Sequence, residues 1–445
     1  MSSWSDHAIW WHVYPLGFTG AEREALPADA SPLPRLRNLE PWLDYLLELG
    51  ANGLALGPVF ASETHGYDTV DHFRIDPRLG TEDDFVRLVE RCRSRGIRIL
   101  LDGVFNHVGR GFGPFRDVLA HGRDSRHADW FRIHWDRPGR DGAPFDHDDF
   151  EGHHHLVALD HRNPEVVDHV TDVMRHWLAL GADGWRLDAA YAVPPAFWAE
   201  TIGRVRAHHP EAWFVGEVIH GPYEPWVTGG RLDSVTQYEL WKAVWSALND
   251  RNFWELGAAL QRHDGFTSTF RPLTFLGNHD VTRIASQLDD ERHLGHAQAV
   301  QFTVAGVPSV YAGDEQAFTG VKQQTATGDD AVRPPFPERP DELAPFGWPV
   351  FQRHQALIAL RRRHPWLVRA RTRVVTQANE QLAYVSEADG SRVVTLLNVA
   401  DRGHRFDDAR RELGELHLAV SGHGDAPDPW DVPAHSWAVL VEATG

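Results

Sequence analysis

Asp188, Glu217 and Asp280 each follow a short apolar run, the pattern of a carboxylate at the end of a buried strand. The runs are Asp183-Gly184-Trp185-Arg186-Leu187-Asp188, Ala212-Trp213-Phe214-Val215-Gly216-Glu217 and Leu273-Thr274-Phe275-Leu276-Gly277-Asn278-His279-Asp280. A parallel α/β barrel puts its chemistry at the C-terminal ends of its strands, where the following loops wall off a cleft. Three carboxylates on separate strands suit acid, base and nucleophilic work on a neutral polar substrate. Glycosidic bond hydrolysis is such a reaction: one carboxylic acid protonates the departing oxygen, and a second carboxylate attacks or shields the sugar cation from the other face. At the ends of neighbouring strands, Asp188 and Glu217 are expected about 5 to 5.5 Å apart, the spacing of retaining enzymes. Period two puts Arg186 on the side of Asp188. A guanidinium there would hold Asp188 ionised as nucleophile, while Glu217 would need a raised pKa to serve as acid.

The elements that must position these groups read clearly in the first 107 residues. Ile9 to Tyr14 is a strand, Leu39 to Leu49 a helix stopped at Gly50, and Ala51 to Leu56 a second strand. Thr81 is a helix N-cap, the helix running to Arg95 and closing at Gly96, and Ile97 to Asp102 is a third strand. Strand-helix alternation of this kind predicts a parallel sheet. From Val108 to Asn163 the period is lost among Gly, Asp, His and aromatic residues, so 108–163 reads as an irregular insertion with a functional role. Its His153-His154-His155 run is not expected to hold one ion, because adjacent side chains of an extended segment face opposite ways.

Alternation resumes at Pro164, which opens a helix to Leu180. Strands follow at 184–188, 213–217, 233–235, the run ending at Asp280, and 307–311; helices are expected at 194–209, 239–249, 253–263 and 348–364. Eight strand-helix units favour a closed (β/α)8 barrel, in the α/β class, built from 1–107 and 164–364. After Pro365, alternating runs such as Leu382 to Val385, Val393 to Leu397 and Trp437 to Val441, punctuated by turn signals, predict a C-terminal antiparallel β-sandwich domain over 365–445.

Composition bounds the partners. The chain has 445 residues, 42% hydrophobic and 24% charged, ordinary for a folded enzyme. Its net charge of −19 and the lack of a basic stripe argue against nucleic acid. The single cysteine, Cys92, cannot form an intramolecular disulfide. The N-terminus, Met1 to His7, has no leader pattern and no apolar run reaches a membrane span, so no membrane and a cytoplasmic location are expected. Eighteen Trp and 22 Phe suit stacking on sugar rings, though aromatic residues also fill cores.

Four segments, Asp102-Gly103-Val104-Phe105-Asn106-His107, Gly184-Trp185-Arg186-Leu187-Asp188-Ala189, Gly216-Glu217-Val218 and Phe275-Leu276-Gly277-Asn278-His279-Asp280, resemble the signature segments of the α-amylase family, glycoside hydrolase family 13, in the family's order. Leu159 to Pro164, His65-Gly66-Tyr67-Asp68 and Gly306 to Glu315 support the match. The resemblance implies that Asp188 is the nucleophile forming a glycosyl-enzyme ester, Glu217 the general acid and then base, and Asp280 a hydrogen-bonding partner of the sugar 2- and 3-hydroxyls. It further implies sugar contacts from His107 and His279, a positioning role for Arg186, and a platform from Tyr67, with Asp68 beside it. Asp102 and Asn106 would brace the barrel end. His220, Arg283 and Arg333 are further candidates to line the cleft; for Arg283 a structural salt bridge is an equal alternative.

Departures narrow the expectation. Tyr191 and Ala192 replace the Lys and His that many endo-amylases use on the leaving side, and Pro34 to Leu39 replaces a common first-loop signal, so endo-cleavage of long polymers is not expected. Gly216 to His220, Pro225-Trp226 and Leu232 to Val235 look most like the neopullulanase and cyclomaltodextrinase group, intracellular enzymes that act on small or cyclic maltooligosaccharides. Such relatives commonly carry an extra N-terminal β domain used in dimerisation; this chain starts almost at strand one, so that domain is expected to be absent, and a homodimer stays open. No cofactor is expected: Asn106 matches a calcium position of many relatives, but its carboxylate partners are not identifiable. The resulting expectation is a retaining hydrolase of small linear or cyclic maltooligosaccharides. The alternatives are a transglycosylase or trehalose-forming isomerase using the same site, and a non-catalytic binding member, which would typically lack one of the three carboxylates.

Overall fold

A computed structural model describes residues 4–140, 142–325, 328–424 and 427–442; Met1 to Ser3, part of the N-terminus read above, lie outside them. Eight parallel strands form one sheet: β1 Trp10–Val13, β2 Gly53–Leu56, β3 Arg98–Gly103, β4 Gly184–Leu187, β5 Trp213–Gly216, β6 Ser234–Val235, β7 Leu273–Phe275 and β8 Val307–Tyr311. β1 pairs with both β2 and β8. The remaining gap is closed by a parallel bridge from Thr236 to Leu273 and by Gln237 N–H donating to the Leu273 carbonyl at 2.9 Å, which makes the sheet a barrel.

Strand periodicity sorts the side chains into a barrel interior and an outer layer under the helices. Trp11, Val13, Leu54, Ile99, Leu101, Trp185, Leu187 and Phe214 join the apolar core beneath the helices. Trp10, Ala55, Leu100, Trp213, Val215, Leu273 and Val307 form a second cluster inside the barrel, where Trp10 stacks on Trp213 at 5.6 Å. Gly53 makes room for this plug, since a Cβ there would sit 2.3 Å from the Trp10 ring. Two residues further along, the same interior columns carry His12, Asp102 and Arg186, and one step more reaches Asp188 and Glu217. The apolar floor therefore sets the height at which the charges sit.

The helices follow their sequence signals. Helix α1, Trp42–Leu49, ends at Gly50, whose φ of 95° is the left-handed conformation a helix stop requires. Helix α2, Glu82–Arg93, starts with a reciprocal capping box between Thr81 and Asp84 and ends two residues before the expected Arg95. Helix α3, Pro164–Ala179, has Pro in its first turn and is capped by Asn163, which accepts from Glu165 N–H. The later helices are α4 Pro195–Arg206, α5 Tyr238–Asn249, α6 Trp254–Thr267, α7 Leu294–Thr303 and α8 Trp348–Arg363. No helix among the described residues is long and apolar enough to cross a membrane.

The insertion is more ordered than its sequence suggests. It contains a helix, Gly113–His121, a hairpin of Ile133–His134 with Asp146–His147, and the strand His153–Ala158, which returns antiparallel to His107–Gly109. The three histidines alternate: His154 stacks on His147 at 4.4 Å, while His153 and His155 meet each other on the opposite face.

The C-terminal domain is a five-stranded antiparallel sheet of β9 Arg371–Gln377, β10 Gln381–Ala388, β11 Ser391–Asn398, β12 His417–Ser421 and β13 Ser436–Val441. Leu382, Tyr384, Val393, Leu397, Trp437 and Val439 face the barrel core, and Ala383, Val385, Val394, Leu396, Ala438 and Leu440 face away. The outer layer of the expected sandwich is smaller than a second full sheet. It consists of the ribbon His404–Arg405 with Asp431–Val432, the helix Asp407–Leu413, and a buried Trp430.

Candidate active site

One guanidinium organises the barrel mouth. Arg186 Nη1 contacts both oxygens of Asp102 at 2.8 Å and Oδ1 of Asp188 at 3.0 Å, and its Nη2 contacts Oε1 of Glu217 at 2.7 Å. Asp188 and Glu217 thus meet across the breadth of a single side chain, as consecutive strands with carboxylates just past their ends allow. Glu217 is gripped further by Ala189 N–H at 3.1 Å and by Tyr238 O–H at 3.1 Å, and Tyr238 in turn accepts from the Asn278 amide at 2.8 Å.

Asp280 joins this group from the other side. Its two oxygens lie 2.8 Å from Arg333 Nη2 and from His279 Nε2. The Tyr67 hydroxyl contacts His279 Nε2 and donates to Asp102 at 3.0 Å. A continuous chain of polar contacts therefore links Asp280 to Asp188 and Glu217 through His279, Tyr67, Asp102 and Arg186. Tyr67 lies parallel to His279, with ring centres 5.3 Å apart, and Arg333 covers the Tyr14 ring at 4.5 Å. The insertion closes over the mouth: Phe150 stacks on His107 at 4.7 Å, and Glu151 accepts from the Tyr191 hydroxyl at 2.8 Å.

Crowding around two arginines shifts Asp188, Asp102 and Asp280 from their ordinary ranges. Burial drives Asp188 well above the usual carboxylate range; Arg186 opposes this, and the negative charges of Glu217, Asp102 and Asp280 reinforce it. Arg186 is divided among Asp102, Asp188 and Glu217, so its pull on Asp188 opposes the effect of burial without cancelling it. Asp102 is also raised, by burial. Burial acts upward on Asp280 as well, but His279, Arg333 and Arg186 outweigh it and hold the carboxyl well below its ordinary value. Buried carboxylates this close titrate as a set and retain protons that isolated ones would lose. His107 is pushed down to about 3 by burial and is neutral at physiological pH.

The remaining candidates divide. Arg333 stands beside Asp280, and its Nε donates to the His279 carbonyl at 2.9 Å. His220 is exposed at the rim, its ring 5.7 Å from Tyr191. Arg283 is not a lining residue: it is 1% exposed, paired with Asp314 at 2.8 Å and the Ala312 carbonyl at 3.0 Å, and walled by the Tyr311 ring, so the structural salt bridge is the alternative that holds. Asp68 is likewise turned inward, where its carboxylate binds Thr64 N–H and hydroxyl and fixes the loop that carries Tyr67. Sequence reading passed over Tyr238, which stands at the start of α5 without a motif around it. It also left Asn278 without a role inside a quoted motif. His12 and Tyr14 carried a signal, lying two and four residues after Trp10 and so in phase with the inward face of β1. His12 meets His279 edge-on at 5.1 Å above a hollow of about 40 Å³ in the barrel axis.

Comparison with known proteins agrees with this geometry. The family model described as "Alpha amylase, catalytic domain" matches residues 14–346. A cyclomaltodextrinase of Bacillus sp. is 33% identical over 427 residues, covering 90% of this chain and 74% of that one. Neopullulanase 2 of Thermoactinomyces vulgaris is 32% identical, covering 94% and 76%. Among solved structures, the cyclic α-maltosyl-(1→6)-maltose hydrolase of Arthrobacter globiformis superposes with a TM-score of 0.83 at 28% identity, covering 99% of this chain and 100% of that one.

Proposed function

The chain belongs to the α-amylase family of glycoside hydrolases, and from that premise we propose that it is a retaining hydrolase of small α-glucans, opening cyclic maltooligosaccharides or cutting short linear ones. The observation that carries this reading is the shared guanidinium. Arg186 holds Asp188 and Glu217 against each other, with Asp280 tied into the same network.

In this reading Glu217 protonates the glycosidic oxygen while Asp188 attacks the anomeric carbon, giving a covalent glycosyl-enzyme. Glu217 then takes a proton from water, and the water oxygen displaces Asp188. The cluster's excess of acids over arginines supports a retained proton before substrate arrives. Placing that proton on Glu217 leaves Asp188 as carboxylate beside Arg186, where its growing charge on leaving is stabilised. Asp280, kept ionised by His279 and Arg333, accepts hydroxyl hydrogens of the same sugar. His107, buried beside Tyr67 and stacked on Phe150, offers a further hydroxyl contact.

Support for a small substrate comes from the insertion, whose Phe150 and Glu151 narrow the mouth against His107 and Tyr191, and from the cyclic substrates that the cyclomaltodextrinase and the cyclic α-maltosyl-(1→6)-maltose hydrolase are named for. The test is product chromatography on γ-cyclodextrin, cyclic α-maltosyl-(1→6)-maltose, maltotetraose, panose and pullulan. Wild type should favour the small or cyclic substrates and release the product first in the α configuration. Asp188→Asn should lose activity by about 10⁴-fold or more. A first product in the β configuration, or an Asp188→Asn enzyme as active as wild type, refutes the reading.

A further inference from the structure

Away from the cleft, His293, His435 and Asp290 meet where the barrel flank touches the C-terminal domain, each offering one ligand atom within 4.8 Å of the other two. Asp290 and His293 flank the turn Glu291–His293 just before α7, and His435 stands in the turn before β13. His293 Nε2 lies 3.0 Å from His435 Nδ1, and Asp290 Oδ2 lies 3.9 Å from each of these nitrogens. A tetrahedral ion with bonds of about 2.0–2.2 Å needs neighbouring ligand atoms about 3.3–3.5 Å apart. The three separations bracket that value.

Orientation points the same way. His435 Nε2 is 2.7 Å from Asp401 Oδ1, so that nitrogen carries the hydrogen and Nδ1 presents its lone pair to the cluster. A carboxylate behind a histidine ring is how proteins fix a metal-binding imidazole. His435 also adopts a φ of 49°, a left-handed backbone that a side chain with a Cβ rarely takes and that aims its ring inward. Both imidazoles are shielded, at 2% and 7% side-chain exposure, whereas Asp290 keeps 27%, which leaves one face open for an entering ion and a water ligand. Asp290 is also gripped by Arg292, whose Nη2 donates to Oδ2 at 2.6 Å and whose Nε donates to Oδ1 at 2.9 Å; that arginine is half exposed, and nearby Arg251 is paired with Asp401 and Glu380.

We propose that Asp290, His293 and His435 bind one divalent transition-metal ion, zinc by ligand type, and that the ion fastens the C-terminal domain to the barrel. Without the ion the two rings are joined by one Nε2–H···Nδ1 hydrogen bond. When the ion takes both lone pairs, His293 carries its hydrogen on Nδ1 instead, so the charge on each ring is unchanged.

The test is titration of the chelator-stripped full chain with Co²⁺, read in the visible region. Tetrahedral Co²⁺ on nitrogen and oxygen ligands should develop a band that saturates at a single equivalent and is displaced by Zn²⁺. His435→Asn, in which Asn tolerates the left-handed backbone, should abolish the band. Asp401→Ala keeps all three ligands and should weaken affinity by roughly 10–100-fold. Zn²⁺ should raise the melting temperature of the wild type but not of His435→Asn. A featureless titration of a folded wild type, or a band unchanged in both variants, overturns the proposal.

Discussion

Arg78 and Arg186 are both buried at the barrel mouth, yet their surroundings balance charge in opposite ways. Arg78, wholly buried, has one carboxylate partner, Asp76, which it grips through Nε and Nη2, and its remaining hydrogens go to the Ser62 hydroxyl and the carbonyls of Glu22, Arg23 and Thr64. One charge meets one charge, and every donor is used. Arg186 instead divides itself among Asp102, Asp188 and Glu217. The first arrangement can only hold still; the second leaves acids under-neutralised in a buried site, where their protons can be exchanged with a substrate. The same residue type thus builds a brace or a reaction centre according to how many acids share it.

Substituting the two arginines tests that contrast directly. Arg186→Lys puts a point charge where a planar fork must reach three carboxylates, and kcat is expected to fall by about 10³-fold or more, about 4 kcal/mol of lost transition-state stabilisation. Steady-state kinetics on the best substrate of the panel would show it, with circular dichroism confirming the fold. Arg78→Lys should do the reverse. It strands the Asp76 carboxylate and several carbonyls, lowering unfolding free energy by about 3 kcal/mol while kcat of the folded fraction stays within about two-fold. A kcat loss at Arg78 rivalling that at Arg186 would erase the distinction.

Arg283 is an intermediate case and brings pH into play. It pairs with Asp314, and Glu315 follows with no cation of its own, bonded to the Tyr45 hydroxyl and Gly313 N–H. Burial lifts Asp314 to about 6 and Glu315 to about 7. Both values exceed those of unfolded carboxyls, so the native state binds more protons than the unfolded chain between about pH 4 and 7, and stability falls as pH rises through that window. Glu315→Gln removes the larger share. Denaturant unfolding at about pH 5 and about pH 8 should show the wild type losing roughly 2–3 kcal/mol more than the variant over that span. Parallel pH profiles for the two proteins would show that Glu315 is neutralised by other means.

The barrel was legible because each element carries its own period, cap and stop. Thr81, Asn163 and Gly50 act locally, and the carboxylates sit within strand-end motifs. What stayed hidden depends on partners distant in sequence. Arg283 reads as a cleft residue by its place after Asp280, but Asp314, 31 residues away, draws it inward. Tyr238 is invisible as a site residue until β6 and α5 bring it to Glu217, 21 residues before it. The helix Gly113–His121 escaped notice because it is short, opens with Gly-Pro, and takes its stability from packing Phe115 and Val118 under the insertion. The make-up of the C-terminal domain's outer layer, a two-stranded ribbon and a helix, stayed hidden for a related reason: alternation marks one face of a sheet as buried without saying what covers it.

Tyr238 also gives the finest test of how far the reaction centre extends beyond its charges. Its hydroxyl donates to Glu217 and accepts from Asn278, so Tyr238→Phe removes one neutral donor from the acid and leaves the Asn278 amide with one partner fewer, while the ring still packs on Phe275 at 4.9 Å. Arg186 and Ala189 N–H continue to hold Glu217. A single hydrogen bond in a buried site is worth about 1 kcal/mol, so kcat should fall by roughly five- to ten-fold with KM little changed. The split matters more than the size. A fall in kcat alone places Tyr238 with the groups that aim Glu217, whereas a rise in KM would assign it to sugar binding and shrink the centre to the carboxylates that Arg186 itself touches.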